Sequence, residues 1–304
     1  MYDLIIIGLG PAGITAGIYA ARYKINVLVL GAKPGGYIPE ASKIDNYPGF
    51  PLIPGLELSN KFNQHLKNFH IPTKQELVEK ISKLKNGFLV TTDKSNYEAK
   101  AIIVAAGTTR RRLQIPGEKE FMGKGVSFCA TCDGFFFKDK TVAVIGGGDS
   151  AVTSAIELSH FAKKIYLIFR KESLRALPKL IEELKLNPKI ELIPSTNVTK
   201  ISGSKMAEKI TLDKEYNNAK DLAVNGIFIE IGSIPLTDLL KSISAKIDKN
   251  GYIEVDKTQQ TNVNGVFAAG DSTTGSNGFQ QIVTACAEGA IAANSVFKYL
   301  RKLK

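Results

Sequence analysis

The sequence predicts an α/β protein in which one parallel strand–helix–strand unit is written twice. Three observations carry this. A strand, a glycine turn and a helix open the chain, and the same order returns at Thr141. Each copy is followed by a short alternating segment. Each half then closes on an apolar strand that runs into glycine, AIIVAAG (101–107) and GIFIEIG (226–232).

The first copy has a buried strand at Leu4–Ile7, then Gly8-Leu9-Gly10-Pro11-Ala12-Gly13. An alanine-rich helix follows to about Arg22, and then a second strand, Val27–Leu30. In a G-x-G-x-x-G turn between strand and helix, the first glycine permits the tight turn. The second lets the backbone approach a pyrophosphate, and the third lets helix and strand pack closely. The helix start offers free N–H groups and the positive end of its dipole to phosphate. The second copy has a strand at Thr141–Ile145, then Gly146-Gly147-Gly148-Asp149-Ser150-Ala151, a helix to about Phe161 and a strand at Lys164–Phe169. Alanine at the third position is an accepted variant. Phe88–Thr92 and Lys209–Asp213 read as meander strands. Two Rossmann-like dinucleotide units imply a flavin and a nicotinamide coenzyme; one cofactor with one decayed copy is the alternative.

Charge assigns the second site. An acid at the end of its second strand would accept from ribose hydroxyls and favour NAD. Phe169 instead runs into Arg170 and Lys171, with Arg175 beyond, although Glu172 lies in the same loop. Cations there pair with a 2′-phosphate, so NADPH is expected. The first unit has Gly31 at that position and no comparable basic cluster. A third glycine signal, GVFAAGD (265–271), sets a strand before Gly270 and Asp271, with a helix from about Gln281. A carboxylate there can accept hydrogen bonds from sugar-like hydroxyls, which points to a flavin nucleotide.

Composition narrows the partners. The 304 residues carry a formal charge of +11, yet the cations are scattered, with no basic run beyond Arg110–Arg112. No nucleic-acid motif is present, so nucleic acid is not an expected partner. No apolar run approaches the roughly 20 residues that span a bilayer. The start, MYDLIIIGLG, lacks the features of a signal peptide, and a cytoplasmic location is expected.

Taken in order, the blocks GLGPAG, GGYIPEASKIDNYPGF (35–50), AAGTTRRRLQIPGE (105–118), GKGVSFCATCDGFFF (123–137), GGGDSA, FRKESLRA (169–176) and GVFAAGD resemble the low-molecular-weight thioredoxin reductases over essentially the full length. The resemblance implies two Rossmann-like domains of the three-layer ββα type, the second inserted in the first. An FAD domain would comprise 1–112 and 243–304, and an NADPH domain 113–242. It implies FAD contacts from Gly8, Gly10, Pro11, Ala12 and Gly13, from Gly35, Gly36, Tyr37 and Asn46, and from Ala106 and Gly107. Further contacts would come from Gly270, Asp271, Gln280, Gln281 and Ile282. NADPH would rest on Gly146, Gly148, Asp149, Ser150, Ala151, Arg170, Lys171 and Arg175. A homodimer and a thioredoxin- or glutaredoxin-like protein partner are implied as well.

Two of the three cysteines stand in C-A-T-C-D, 129–133. Zinc would need four ligands, and Cys286, His65, His70 and His160 show no ligand spacing. A structural bridge across so short a loop would restrain little of the unfolded chain. A redox dithiol remains. By resemblance, Cys132 takes electrons from the flavin, Cys129 attacks the partner and Asp133 is the acid/base. Cys286, in the small-residue helix 284–293, reads as structural.

Some positions depart from the family form. Tyr37 replaces a glutamine, Phe169 a histidine, Lys171 an arginine and Gln280 an arginine. The altered basic motif leaves NADH as an alternative donor. The rival readings are a same-fold flavin enzyme acting on a small disulfide or oxygen, and a redox-inactive nucleotide-binding regulator.

Overall fold

The computed structural model describes residues 1–41 and 44–303. Ser42 and Lys43, which belong to the 35–50 block, and Lys304 lie outside the described residues. The chain forms two compact units, Met1–Thr109 with Ile234–Lys304, and Arg110–Ser233.

In the first unit, β1 (Tyr2–Ile7), α1 (Pro11–Arg22) and β2 (Val27–Leu30) are followed by α2 (Gly55–Asn68) and β3 (Thr73–Lys74). A meander of β4 (Val78–Leu84), β5 (Gly87–Thr92) and β6 (Asn96–Val104) comes next, and the chain leaves through β7 (Thr108–Arg110). The second unit holds β8 (Val126–Ser127), α3 (Ala130–Asp133), β9 (Thr141–Ile145), α4 (Asp149–Ser159) and β10 (Lys164–Ile168). It continues with α5 (Pro178–Lys185), β11 (Ile190–Ile193), β12 (Val198–Gly203), β13 (Ala207–Tyr216), β14 (Ala219–Ala223) and β15 (Gly226–Ile229). After β16 (Ser233–Pro235), the chain completes the first unit with β17 (Val266–Ala268) and α6 (Ile282–Lys302).

Side-chain alternation along the strands builds three layers in each unit. In β1, Leu4 and Ile6 join Ile103 and Phe267 against Ile14 and Ala16 of α1 and Ala292 and Val296 of α6. Ile5 and Ile7 point the other way, beside Ile102 and Val104, and pack on Ile81, Phe88 and Val90 of the meander. A strand covered on both faces must be apolar throughout, which is why these strands read as unbroken runs. Strand order is β3-β2-β1-β6-β5-β4, with β17 also on β6. Thus β6 serves two layers: Ala99 pairs antiparallel with Phe88 of β5, and Ile102 pairs parallel with Val266 of β17.

The second unit repeats the plan. A parallel sheet ordered β11-β10-β9-β15-β8 is accompanied by the antiparallel β12-β13-β14. Ile145, Ile168, Ile227 and Ile229 pack on Ile201 and Ile210 of the meander. Val142, Val144, Leu167 and Phe228 pack on Ala151, Ala155 and Leu158 of α4. This is the two-unit ββα architecture, with the second unit inserted between the halves of the first.

Three edges differ from the sequence expectation, the first being the change of unit, which falls after Thr109 rather than after 112. Helix α4 ends at Ser159 rather than near Phe161, a difference within the fraying of helix ends. The first unit takes the chain back at Ile234, where the sequence reading placed the change at 243. The cause is the 3-10 turn Asp238–Ile243, whose Leu240 and Ile243 are buried with Ile81 in the core of the first unit. Among the described residues, no helix is long and apolar enough to cross a membrane.

Phe228 is fully buried in the second unit and stands edge-on to Phe137, with ring centroids 5.3 Å apart. Phe228→Ala is expected to destabilise that unit by about 3–5 kcal/mol, the usual cost of emptying a packed aromatic site. Urea denaturation followed by circular dichroism measures it, and a loss below about 1 kcal/mol would contradict this packing.

Candidate active site

In the first unit the turn between β1 and α1 is set by close backbone approach. Gly8 has φ +129°, and a Cβ there would stand 1.9 Å from the Ala105 carbonyl oxygen. A Cβ on Gly13 would stand 2.0 Å from the Gly8 carbonyl oxygen, so helix and turn touch without side chains between them. Gly10 is the N-cap of α1, has no side-chain cap and is followed by Pro11. The Ala12 and Gly13 N–H groups therefore face outward from the helix start with no acceptor inside the helix. The nearest atom to a Cβ on Gly10 would be Gly36 Cα at 3.8 Å, so this side of the turn is open.

Other segments meet this turn. The Gly35 N–H donates to the Leu9 carbonyl at 2.7 Å, holding Gly35 and Gly36 beside Gly10. Tyr37 is exposed, with Lys33 Nζ 4.4 Å from its ring centre. The Ala105 N–H donates to the Ile7 carbonyl, and Ala106 and Gly107 follow at the end of the strand. Gly270 lies against α1, since a Cβ there would be 3.0 Å from Ala12 Cβ. Asn46 Nδ2 donates to Gln281 Oε1 at 2.9 Å, and Gln280 Nε2 to the Asp271 carbonyl at 3.0 Å. Gln281 caps α6 in a reciprocal box with Thr284, and Ile282 is the first helical residue. The residues expected around a flavin nucleotide are thus gathered at one cradle. It offers outward N–H groups, an open glycine face and no acid in the first turn of α1.

Glu288 was missed by sequence reasoning. It is buried on α6 and accepts from the Gly270 N–H at 2.7 Å and from Thr273 Oγ1 at 3.0 Å. Its signal was a lone acid among small residues on a helix. Glu288 also acts on Asp271: burial first, then the Glu288 charge, pushes the Asp271 carboxyl up to about 6. Cys286 is half-buried, with Sγ 4.0 Å from Tyr47 Oη and from the Pro11 carbonyl. Burial raises its thiol above the usual value and pushes Tyr47 to about 12.

The second unit repeats the cradle. Gly146 has φ +147°, and a Cβ there would be 2.1 Å from the Glu230 carbonyl oxygen. Gly148 caps α4 without a side-chain bond, and nothing lies within 4 Å of where its Cβ would be. Asp149 and Ser150 form the exposed first turn, and Ala151 is buried beneath. Asp149 Oδ1 accepts from the Leu177 N–H at 2.7 Å, and the Arg175 N–H donates to the Gly147 carbonyl at 2.7 Å. These two bonds hang the basic loop on the glycine turn. Arg170, Lys171 and Arg175 are exposed, and none of the three is ion-paired among the described residues. The arrangement fits an anionic nucleotide. Glu230, another residue missed from the sequence, is buried beside the turn and accepts from Ser154 Oγ and Arg110.

The same unit carries the cysteines. Cys129 and Cys132 form a disulfide with Cα atoms 5.3 Å apart. Cys129 is the N-cap of α3, and its Sγ accepts from the Cys132 N–H at 3.1 Å. Cys129 is half-buried and Cys132 exposed. Thr131 Oγ1 donates to Glu157 on α4 at 2.8 Å, and Phe137 anchors the following turn in the core. Phe135 and Phe136 stand 67% and 69% exposed, leaving an apolar surface just beyond the disulfide. Ser127, passed over in the sequence, donates to Asp133 Oδ2 at 2.6 Å.

The raised Asp271 carboxyl makes stability pH-dependent. Its folded value, about 6, lies above the ordinary 3.8. Its contribution is therefore fully present below about 3.8 and is lost as pH rises through about 6. Asp271→Asn removes the buried charge. In flavin-free protein it is expected to match wild type at pH 3.5 and to be more stable at pH 8, by about 3 kcal/mol at most. Urea titrations at both pH values check this, and an advantage that is equal at both would contradict it.

Comparison with known proteins adds to this geometry. A family model described as pyridine nucleotide-disulphide oxidoreductase matches residues 2–289. Thioredoxin reductase of Bacillus subtilis is 38% identical over 100% of this chain and 96% of its own length. That of Helicobacter pylori is 40% identical over 99% of each. The crystal structure of Lactococcus lactis thioredoxin reductase superposes with a TM-score of 0.94 at 35% identity, covering 99% of this chain and 100% of that one. Glycine turns, disulfide and end-to-end similarity agree, and the chain belongs to the pyridine nucleotide-disulphide oxidoreductase family, among the low-molecular-weight thioredoxin reductases.

Proposed function

We propose that the chain is an NADPH-dependent, FAD-containing reductase of a thioredoxin- or glutaredoxin-like protein disulfide, working as a cytoplasmic homodimer. The observation that carries this reading is a surface disulfide capping a helix in the unit that also presents the second glycine turn. FAD rests on the Gly8–Gly13 turn, the Gly35–Tyr37 segment, Asn46, Ala106, Gly107, Gly270–Asp271 and Gln280–Ile282. NADPH rests on Gly146 and the start of α4, with Arg170, Lys171 and Arg175 on its 2′-phosphate. Bound together, the two cofactors supply a pair of electrons at the potential needed to reduce a disulfide.

The chain's own residues then do the following. Cys132 accepts the reducing equivalents, leaving the Cys129–Cys132 pair as a dithiol. The Cys129 thiolate attacks one sulfur of the partner's disulfide, forming a mixed disulfide and releasing the partner's other sulfur as a thiolate. The Cys132 thiolate then attacks Cys129 Sγ, which restores the intrachain bond and frees the reduced partner. Asp133 holds and transfers the proton that a sulfur needs on leaving. The exposed Phe135 and Phe136 favour a protein partner over a small disulfide, because such rings gain most from a large apolar contact.

Two measurements test this. Cys129→Ser is expected to lower NADPH-driven reduction of a thioredoxin-like protein by about a thousandfold or more, in line with loss of a covalent nucleophile. Bleaching of the flavin band by NADPH should persist in that variant; partner reduction at the wild-type rate would refute the dithiol mechanism. Side-by-side kinetics with the two coenzymes should favour NADPH by about tenfold or more in kcat/KM, as expected for cations on a 2′-phosphate. Arg170→Ala with Arg175→Ala should erase that preference, and an equal or better rate of the wild type with NADH would overturn the coenzyme assignment.

A further inference from the structure

Beside the disulfide lies one buried hydroxyl with more than one partner. Ser127 ends β8, where it pairs in parallel register with Phe228 of β15. Residues so paired point to the same face, and Phe228 packs on the helix side of the sheet. Ser127 therefore projects, buried, toward the helix side, where α3 follows it in the chain. The Cys129 N–H donates to Ser127 Oγ at 3.0 Å. From the same oxygen, Asp133 Oδ2 is 2.6 Å away and the Cys129 carbonyl oxygen 3.3 Å. A hydroxyl has one proton to give and two lone pairs. The shorter contact has the length of an O–H bond to a carboxylate, whereas 3.3 Å is beyond the ordinary O–H···O range. The proton therefore goes to Asp133, while a lone pair takes the Cys129 N–H.

We propose that Ser127 is the positioning residue of the acid: it occupies Oδ2 of Asp133, so that Oδ1 is the oxygen that carries the proton to and from sulfur. The inference rests on the reading of Asp133 as the acid. Opening the Cys129–Cys132 bond takes two electrons, supplied by reduced nicotinamide coenzyme, and yields two thiolates. Oδ1 gives its proton to one of them, making a thiol, and the resulting carboxylate regains a proton from water. Ser127 can donate to Oδ2 in both states of the acid, so the carboxyl group keeps its orientation through the cycle. Because the same hydroxyl holds the backbone of Cys129, acid and nucleophile share one anchor.

A double-mutant cycle on the holoenzyme tests this, with a thioredoxin-like protein as substrate. Asp133→Asn is expected to lower kcat by about a hundredfold, as for loss of a general acid. Ser127→Ala should lower kcat by about tenfold and leave KM for the protein substrate within about twofold, because the bond lost acts on chemistry and not on binding. In the Asp133→Asn background the same Ser127→Ala change should cost less than about twofold, the coupling expected of residues that act through one another. Wild-type kcat in Ser127→Ala overturns the proposal. So does an equal loss in both backgrounds, which would assign the hydroxyl to the Cys129 backbone alone. Wild-type kcat in Asp133→Asn would instead refute the acid itself.

Discussion

Each unit depends on a backbone that approaches a neighbouring strand more closely than any side chain would permit. The missing Cβ of Gly8 would sit 1.9 Å from one carbonyl, and that of Gly146 would sit 2.1 Å from another. Only with that contact made does the helix start directly above the sheet, its first N–H groups turned to the open side. The third position of the fingerprint shows how narrow the tolerance is. Gly13 presses on the Gly8 carbonyl, whereas Ala151 takes the equivalent place in the second unit and its methyl is fully buried against Gly146. The turns also dictate what gathers round them: the Gly35–Gly36 pair and Gly270 in one unit, the basic loop in the other.

Redox chemistry enters at a different kind of position. Strand β8 is two residues long and lies at the edge of its sheet, so the backbone is free to turn straight into α3. Such an edge exposes Cys132 while the sheet still fixes Ser127 and, through it, Asp133. Reactivity and rigidity are therefore supplied by consecutive residues of one short segment.

Much of this was legible in the sequence, for a physical reason. Strands buried on both faces are apolar throughout, and a glycine turn against a strand has a fixed spacing, so both signals are local. The repeat of strand, turn, helix and meander followed directly, as did the basic loop after Phe169. The roles proposed for Cys129, Cys132 and Asp133 rest on resemblance, since spacing alone does not distinguish attacking from accepting sulfur. Glu288 and Glu230 escaped because a buried acid takes its meaning from partners far along the chain, Gly270 and Thr273 for one, Ser154 and Arg110 for the other. The return to the first unit escaped for a similar reason: Leu240 and Ile243 look like part of any amphipathic turn until Ile81 is seen beneath them.

The insertion has a consequence for how the protein is made. Residues 110–233 are continuous, so this unit can close its sheet as soon as it leaves the ribosome. The first 109 residues cannot complete theirs. Strand β6 waits for β17, α1 waits for α6, and Gly270 is pinned only after Glu288 has been synthesised. A nascent chain thus holds the complete inserted unit while the first unit still lacks a wall, with the apolar faces of β6 and α1 uncovered. The core of the segment before the insertion is completed by the segment that follows it.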